Sequence, residues 1–228
     1  MLDTVIPAPD PTLLPVAGTQ ARFPVRRVYC VGRNYAAHAV EMGYDPRSEP
    51  PFFFQKNPDN LDTSGVFPYP SQSENVHHEV ELLVALKSGG RDIAAASALD
   101  SVYGYAVALD MTRRDLQGLA KKDGRPWEVG KAVERSAPVG PLYPVTEVGH
   151  LDAGAITLSV NGETRQTGDL SEMVWSVAEI ISTLSQFFTL AAGDVILTGT
   201  PSGVGAVARG DVMQAEIVGL GALEVRVD

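Results

Sequence analysis

Cysteine is almost absent from this chain of 228 residues: Cys30 is the only one, so no internal disulfide can form and a reducing, cytoplasmic compartment is expected. Cys30 lies inside an apolar strand pattern with nothing beside it to favour a thiolate, which marks it as buried and inert. Positive charge is scarce too. Eighteen Lys and Arg against 28 Asp and Glu leave a formal charge of −10, and no basic run could track phosphates, which argues against a nucleic-acid or anionic-membrane partner. Long apolar stretches are also missing. The richest, Met173 to Ala192, carries Glu179 and several Ser, Thr and Gln residues that leave one polar face, so it reads as an amphipathic helix rather than a membrane span. The N-terminal Met-Leu-Asp-Thr-Val-Ile-Pro has neither the basic flank nor the apolar segment of a signal peptide. There is no repeat, no Gly-x-Ser-x-Gly elbow and no cysteine arrangement for covalent catalysis.

What remains fits one globular domain of β-rich α+β class, preceded by a proline-punctuated extended arm over residues 1–24. Strands are expected at Val25 to Gly32, from Pro50 into the aromatic run ending at Lys56, from His77 to Leu86, and at Val102 to Leu109, Val195 to Leu197, Val212 to Val218 and Ala222 to Val227. Asn161-Gly162, between Ile156 to Val160 and Glu163 to Thr167, is the strongest short hairpin signal. Helices are expected at Asn34 to Met42, at Thr112 to Lys122 with Thr112 as cap and Asp115 completing a capping box, and from Ser171 or Glu172 to Phe188. Lys87 to Arg91 reads as a Gly-Gly hairpin turn, followed by a short helix over Ala94 to Ser101. Strand and helix do not alternate as they would in a doubly wound sheet.

Glu79 and Glu81 are two residues apart on one face of an otherwise apolar strand, and no Lys or Arg occurs from Pro68 to Leu86. If buried, such a pair needs a cation: a metal ion, or a basic residue from elsewhere in the chain. If it lies on an edge strand, both carboxylates face water instead. Asp110, at the end of a second apolar strand, is a third carboxylate or a helix cap; Thr112 is the better cap. Three carboxylates with open coordination positions suit Mg²⁺ or Mn²⁺ rather than Zn²⁺. His77 and His78 are read as supporting groups behind such ligands or as structural residues. His38 and Glu41, three apart on a helix, form either a water-activating pair or a solvated surface pair. Arg114 and Lys131 offer the local positive charge needed to hold a substrate carboxylate. Thr198-Gly-Thr-Pro-Ser-Gly-Val-Gly205 could cradle an anion through its amides, but it lacks the Gly-Lys-Ser/Thr of a P-loop.

Taken in order, Val31-Gly32-Arg33-Asn34-Tyr35 with His38 and Glu41, His77-His78-Glu79-Val80-Glu81, Asp110-Met111-Thr112, Arg114-Asp115-Leu116-Gln117, Lys131 and the Thr198–Gly205 stretch resemble the fumarylacetoacetate hydrolase family, from about Arg26 to the C-terminus. The nearest likeness within it is to bacterial acylpyruvate hydrolases that act on fumarylpyruvate or maleylpyruvate in gentisate-type aromatic catabolism. The resemblance implies a mixed β-sandwich roll, a catalytic domain over residues 25–228, a homodimer, and a Mg²⁺ or Mn²⁺ site at Glu79, Glu81 and Asp110. It further implies a lid carrying His38 and Glu41, a catalytic Lys131, and a substrate site formed by Arg114, Gln117, Thr200, Arg33 and Tyr35. The family's Lys-Pro-Ala-Asp stands here as Lys56-Asn57-Pro58-Asp59, a displaced proline that changes that loop. The expected reaction is carbon–carbon hydrolysis of an acylpyruvate, with oxaloacetate decarboxylation at the same site as its alternative. A ring-opened dienoate decarboxylase or hydratase partner, and a non-catalytic metal-dependent binding subunit, rank behind these.

Overall fold

A computed structural model describes residues 4–36 and 50–228. His38 and Glu41, on the helix expected over Asn34 to Met42, therefore lie outside the described residues. Val80–Leu86, buried at every position, runs through the middle of a six-stranded sheet in the order Tyr143–Pro144, Val102–Leu109, Val80–Leu86, Asp194–Leu197, Arg27–Gly32, Phe52–Lys56. Every neighbouring pair is antiparallel except Asp194–Leu197 with Arg27–Gly32. A continuous apolar run on a central strand is what a sheet covered on both faces requires. One face packs on a five-stranded sheet, in the order Glu163–Asp169, Ala155–Val160, Val212–Ile217, Ala222–Val227, Val66–Phe67, and on the Val177–Phe187 helix. In that second sheet Ala222–Val227 alternates exposed and buried residues, sending Leu223, Val225 and Val227 inward beside Leu82, Val84 and Leu109. The opposite face of the six-stranded sheet is covered by Leu14, Val16, Phe23, Leu61, Val139 and Leu142, so the part of the proline-rich arm from Leu13 onward pairs as a two-stranded ribbon and joins the core.

The Asn161-Gly162 turn forms as expected, with φ of 53° and 79° at its two residues. Three local expectations shift. The long helix starts at Val177 rather than near Ser171, because the Ser176 hydroxyl accepts from the Glu179 amide while the Glu179 carboxylate accepts from the Ser176 N–H. Residues 170–172 instead form a separate 3₁₀ turn with its own capping box, from Asp169 and Glu172. Thr112 caps nothing: Thr112–Arg113 pairs with Val76–His78 as a strand, and the helix runs Arg114–Asp123 before stopping at Gly124, φ 64°. Asp115 is used across the chain, accepting from the Ser73 hydroxyl (2.7 Å) and the Glu74 amide (3.0 Å). The segment after Leu86 makes no tight hairpin; a short helix, Ala95–Ala98, and a 3₁₀ turn intervene before Val102.

Candidate metal centre

Glu79 stands at the joint between two sheets. Val76–His78 belongs to a small three-stranded sheet and Val80–Leu86 to the six-stranded one, and the Glu79 carbonyl accepts from the Asp110 amide at 2.8 Å. This bond draws the end of Val102–Leu109 against the joint and sets Asp110 beside Glu79 and Glu81. Ligand atoms of the three carboxylates all lie within 4.8 Å of one another, and all three residues are buried. It is the one such grouping of three or more His, Cys, Asp or Glu among the described residues. The edge-strand reading of the Glu pair is thus excluded.

Three cations from distant segments surround the cluster. Lys131, from the Glu128–Lys131 helical turn, donates to Glu79 Oε2 (2.6 Å) and Asp110 Oδ2 (2.7 Å). Arg114 Nη2 pairs with Glu79 Oε1, and its Nη1 donates to Gln117 Oε1 at 2.8 Å. Lys56 Nζ lies 2.9 Å from Asp110 Oδ1, but its three hydrogens go elsewhere: to the Met111 carbonyl (3.2 Å), the Ser136 hydroxyl (2.8 Å) and the Lys131 carbonyl. Lys56 therefore helps Asp110 by charge alone, and Asp110 Oδ1 is a buried oxygen with no hydrogen-bond donor.

The charges explain how the carboxylates differ. Burial alone would raise Glu79, but Lys131 and Arg114 outweigh it and hold Glu79 well below the usual carboxylate range. Glu81 has no such partner. Burial, then the charges of Asp110 and Glu79, push it well up, against a weaker pull from Lys131 and from the Gly199 amide that donates to Glu81 Oε2 at 2.8 Å. Burial works against the Lys131 ammonium, yet Asp110 and Glu79 raise it above its ordinary value, so it stays charged. A divalent ion fits this remainder. Among the described residues Asp110 Oδ1 accepts no hydrogen bond, Glu81 forms no ion pair, and the set is all oxygen, as Mg²⁺ or Mn²⁺ prefers.

The cleft above the cluster is lined by Arg33, Arg114, Gln117, Lys131 and Thr200 together with the three carboxylates, so the structure brings together most of the residues singled out from sequence. Arg33 has φ 60° where the chain leaves the Arg27–Gly32 strand. Tyr35 is elsewhere: its ring is 1% exposed among core residues and does not line the cleft. His77 and His78 do not line it either. His77 bonds Asn75 at 3.0 Å, and burial together with Arg114 brings it down to about 4.

Gln166 escapes the sequence reading, and Asn34, quoted there in a motif and as the start of a helix, is given no role in the site. Gln166, fully buried, accepts from the Val80 amide (3.1 Å), meets His78 Nδ1 (2.9 Å), and donates to Thr200 Oγ1 (2.8 Å) and the Pro201 carbonyl (2.9 Å). Because Thr200 accepts there, its own hydroxyl hydrogen remains available to the cleft. Asn34 accepts from the Trp175 amide (2.7 Å) and donates to the Thr198 and Trp175 carbonyls (2.7 and 3.0 Å), tying the strand exit to the Gly199 turn. That turn needs glycine: Gly199 has φ 98°, and a Cβ there would lie 2.7 Å from Asn34 Cβ. Its amide donates to Glu81, so this amide of the glycine-rich stretch holds a protein carboxylate.

The family model for the fumarylacetoacetate hydrolase C-terminal domain matches residues 27–228. A crystal structure of fumarylpyruvate hydrolase from Pseudomonas aeruginosa, in complex with Mn²⁺ and pyruvate, is 54% identical and superposes with a TM-score of 0.97 over 99% of both chains. An oxaloacetate tautomerase of Arabidopsis thaliana is 42% identical over 89% of this chain and 91% of its own, and an oxaloacetate decarboxylase of Dictyostelium discoideum 43% over 86% and 90%. No helix among the described residues is long and apolar enough to cross a membrane.

Proposed function

We propose, from the premise that this chain belongs to the fumarylacetoacetate hydrolase family, that it hydrolyses the carbon–carbon bond of an acylpyruvate such as fumarylpyruvate or maleylpyruvate in gentisate-type aromatic catabolism, releasing pyruvate and a dicarboxylic acid. The observation that carries the reading is the buried Glu79–Glu81–Asp110 cluster with Lys131 wedged into it. A fumarylpyruvate hydrolase holding Mn²⁺ and pyruvate, similar over the whole chain, supports it.

Glu79, Glu81 and Asp110 would hold Mg²⁺ or Mn²⁺, which when bound supplies Lewis-acid stabilisation of the enolate oxygen that forms as the bond breaks. Lys131, kept cationic by Glu79 and Asp110, is a fixed positive charge at the cleft floor that favours the same developing anion. Arg114, steadied by Gln117, and the hydroxyl hydrogen of Thr200 bind the substrate's pyruvoyl carboxylate, with Arg33 also assigned to the substrate; Tyr35, expected there from the sequence, is buried away from the cleft and is given no such role. His38, with Glu41 as its orienting carboxylate, takes a proton from water as the oxygen attacks the distal acyl carbonyl. The carbon–carbon bond then breaks towards the pyruvate side, and the enolate is protonated to pyruvate. The reading carries a homodimer as the working unit, residues 25–228 as the catalytic domain, and a cytoplasmic location consistent with the one buried cysteine.

A second reading, oxaloacetate tautomerisation or decarboxylation, is favoured by the names of the Arabidopsis and Dictyostelium relatives and needs the same enolate stabilisation without an attacking water. Incubating Mn²⁺-loaded protein with fumarylpyruvate, maleylpyruvate, acetylpyruvate and oxaloacetate, and following enol absorbance and pyruvate release, separates them. Pyruvate from acylpyruvates, lost in His38→Ala, supports hydrolysis. Enol loss from oxaloacetate alone would transfer the assignment to the second reading.

A further inference from the structure

Lys121 lines the same cleft as the carboxylate cluster, and none of the chemistry above uses it. Among the described residues its ammonium meets no carboxylate or carbonyl oxygen; it rests over the Trp127 ring, 4.9 Å from the centroid. Trp127 is itself fixed, packed against Phe52 and Phe54 with ring centroids 4.8 and 5.7 Å apart. A half-buried lysine on an aromatic wall of the cleft, in a chain of net charge −10, has no counter-ion among the described residues. Burial, then the positive charges of Arg114 and Arg33, push its pKa down to about 8, the mark of a cation short of negative charge.

Its position also works as a ruler. Arg114, Gln117 and Lys121 follow one another at three- and four-residue spacing along one side of the Arg114–Asp123 helix. At helical rise, Lys121 sits about 6 Å beyond Gln117 and about 10 Å beyond Arg114. In fumarylpyruvate six bonds separate the two carboxyl carbons, about 7 Å when extended. In oxaloacetate three bonds separate them, about 3.5 Å, too short to reach from Arg114 and Gln117 to Lys121.

We infer that Lys121, seated on Trp127, is the specificity-determining receptor for a second, distal carboxylate, so that the cleft selects long dicarboxylic acylpyruvates over acylpyruvates with an uncharged tail and over four-carbon oxo-diacids. This deepens the acylpyruvate reading and rests on it for the identity of the substrate's other end.

The test uses full-length Mn²⁺-loaded protein as wild type, Lys121→Met and Lys121→Arg. Fumarylpyruvate and acetylpyruvate share the pyruvoyl end and differ in the distal carboxylate. In Lys121→Met the fumarylpyruvate-to-acetylpyruvate ratio of kcat/KM should fall about ten- to hundredfold, the loss expected for one charged hydrogen bond, through KM rather than kcat, and Lys121→Arg should restore most of it. An unchanged ratio, or a loss confined to kcat, overturns the inference. Calorimetric binding of two uncleavable probes, 2-oxoheptanedioate and 2-oxoheptanoate, reads the same contact without turnover. Preference for the diacid that disappears in Lys121→Met sustains the inference even if the protein cleaves no acylpyruvate, whereas turnover of fumarylpyruvate with no such preference sustains the reaction and removes the role of Lys121.

Discussion

Glu81 gives the sharpest test of the metal assignment, because its replacement by glutamine should affect metal-free and metal-loaded protein in different ways. Among the described residues Glu81 pairs with no lysine or arginine; it accepts the Gly199 amide and lies against the like charges of Asp110 and Glu79. A glutamine oxygen can take over the Gly199 bond while the repulsion disappears, so Glu81→Gln stripped of metal should melt no lower than the stripped wild type. With metal at a hundredfold excess over its dissociation constant, binding to the native state alone adds about 2.7 kcal/mol to the wild type. For a chain of this length that is a rise of about 5–11 °C in Tm. Glu81→Gln should lose most of the rise. Differential scanning fluorimetry with chelator and with graded Mn²⁺ measures both halves. A variant with the full Mn²⁺-dependent rise would remove Glu81 from the ligand set. A stripped variant that melts many degrees below the stripped wild type would show the carboxylate to be a stabilising part of the fold, contrary to the electrostatics argued here.

Lys131→Met removes the ammonium shared by Glu79 and Asp110, so metal-free protein should lose about 3–5 kcal/mol in urea unfolding. It should also lose about a hundred- to a thousandfold in kcat when metal-loaded, and near-wild-type turnover would end its role as fixed charge. Gly130→Ala would place a Cβ 2.9 Å from Gln117 N and 3.0 Å from its Cα, prising the Glu128–Lys131 turn from the Arg114–Asp123 helix. A stability loss of about 1–3 kcal/mol together with reduced turnover is expected, and an alanine variant indistinguishable from wild type would count against that close approach as a determinant of the site. The ratio of KM for fumarylpyruvate to KM for acetylpyruvate should climb as pH rises through about 8, where free Lys121 loses its proton, and stay level below it. Of the charged groups described around Lys121, Lys131 is raised and Glu79 is held low, away from that window, so a ratio flat from pH 6 to 10 contradicts the assignment.

How much of this the chain displays on its face varies with the range of the interactions. The Asn161-Gly162 hairpin and the wholly apolar Val80–Leu86 strand are local patterns, and both stand in the structure where the sequence puts them. Glu79 and Glu81 stand out because acids interrupt an apolar run, but the counter-charges of Glu79 are invisible: Arg114 and Lys131 lie 35 and 52 residues away and meet it only through tertiary packing. Helix starts were misread for a related reason. At Thr112 a strand partner, Val76–His78, outcompetes a local cap, whereas the long helix, expected from Ser171 or Glu172, starts later because Ser176 and Glu179 form a capping box. Gln166 shows no pattern at all. It lies in a strand otherwise exposed over its first half, and only the fold shows that its amide orients Thr200.

The cluster at the sheet joint takes its members from residues 56, 79, 81, 110, 114 and 131, with a backbone amide from 199. No short stretch of nascent or unfolded chain holds even half of this constellation, so the ion has nothing to grip until both sheets have docked. Metal should therefore leave the refolding rate nearly untouched and act as a brake on the way out, lengthening the lifetime of the native state.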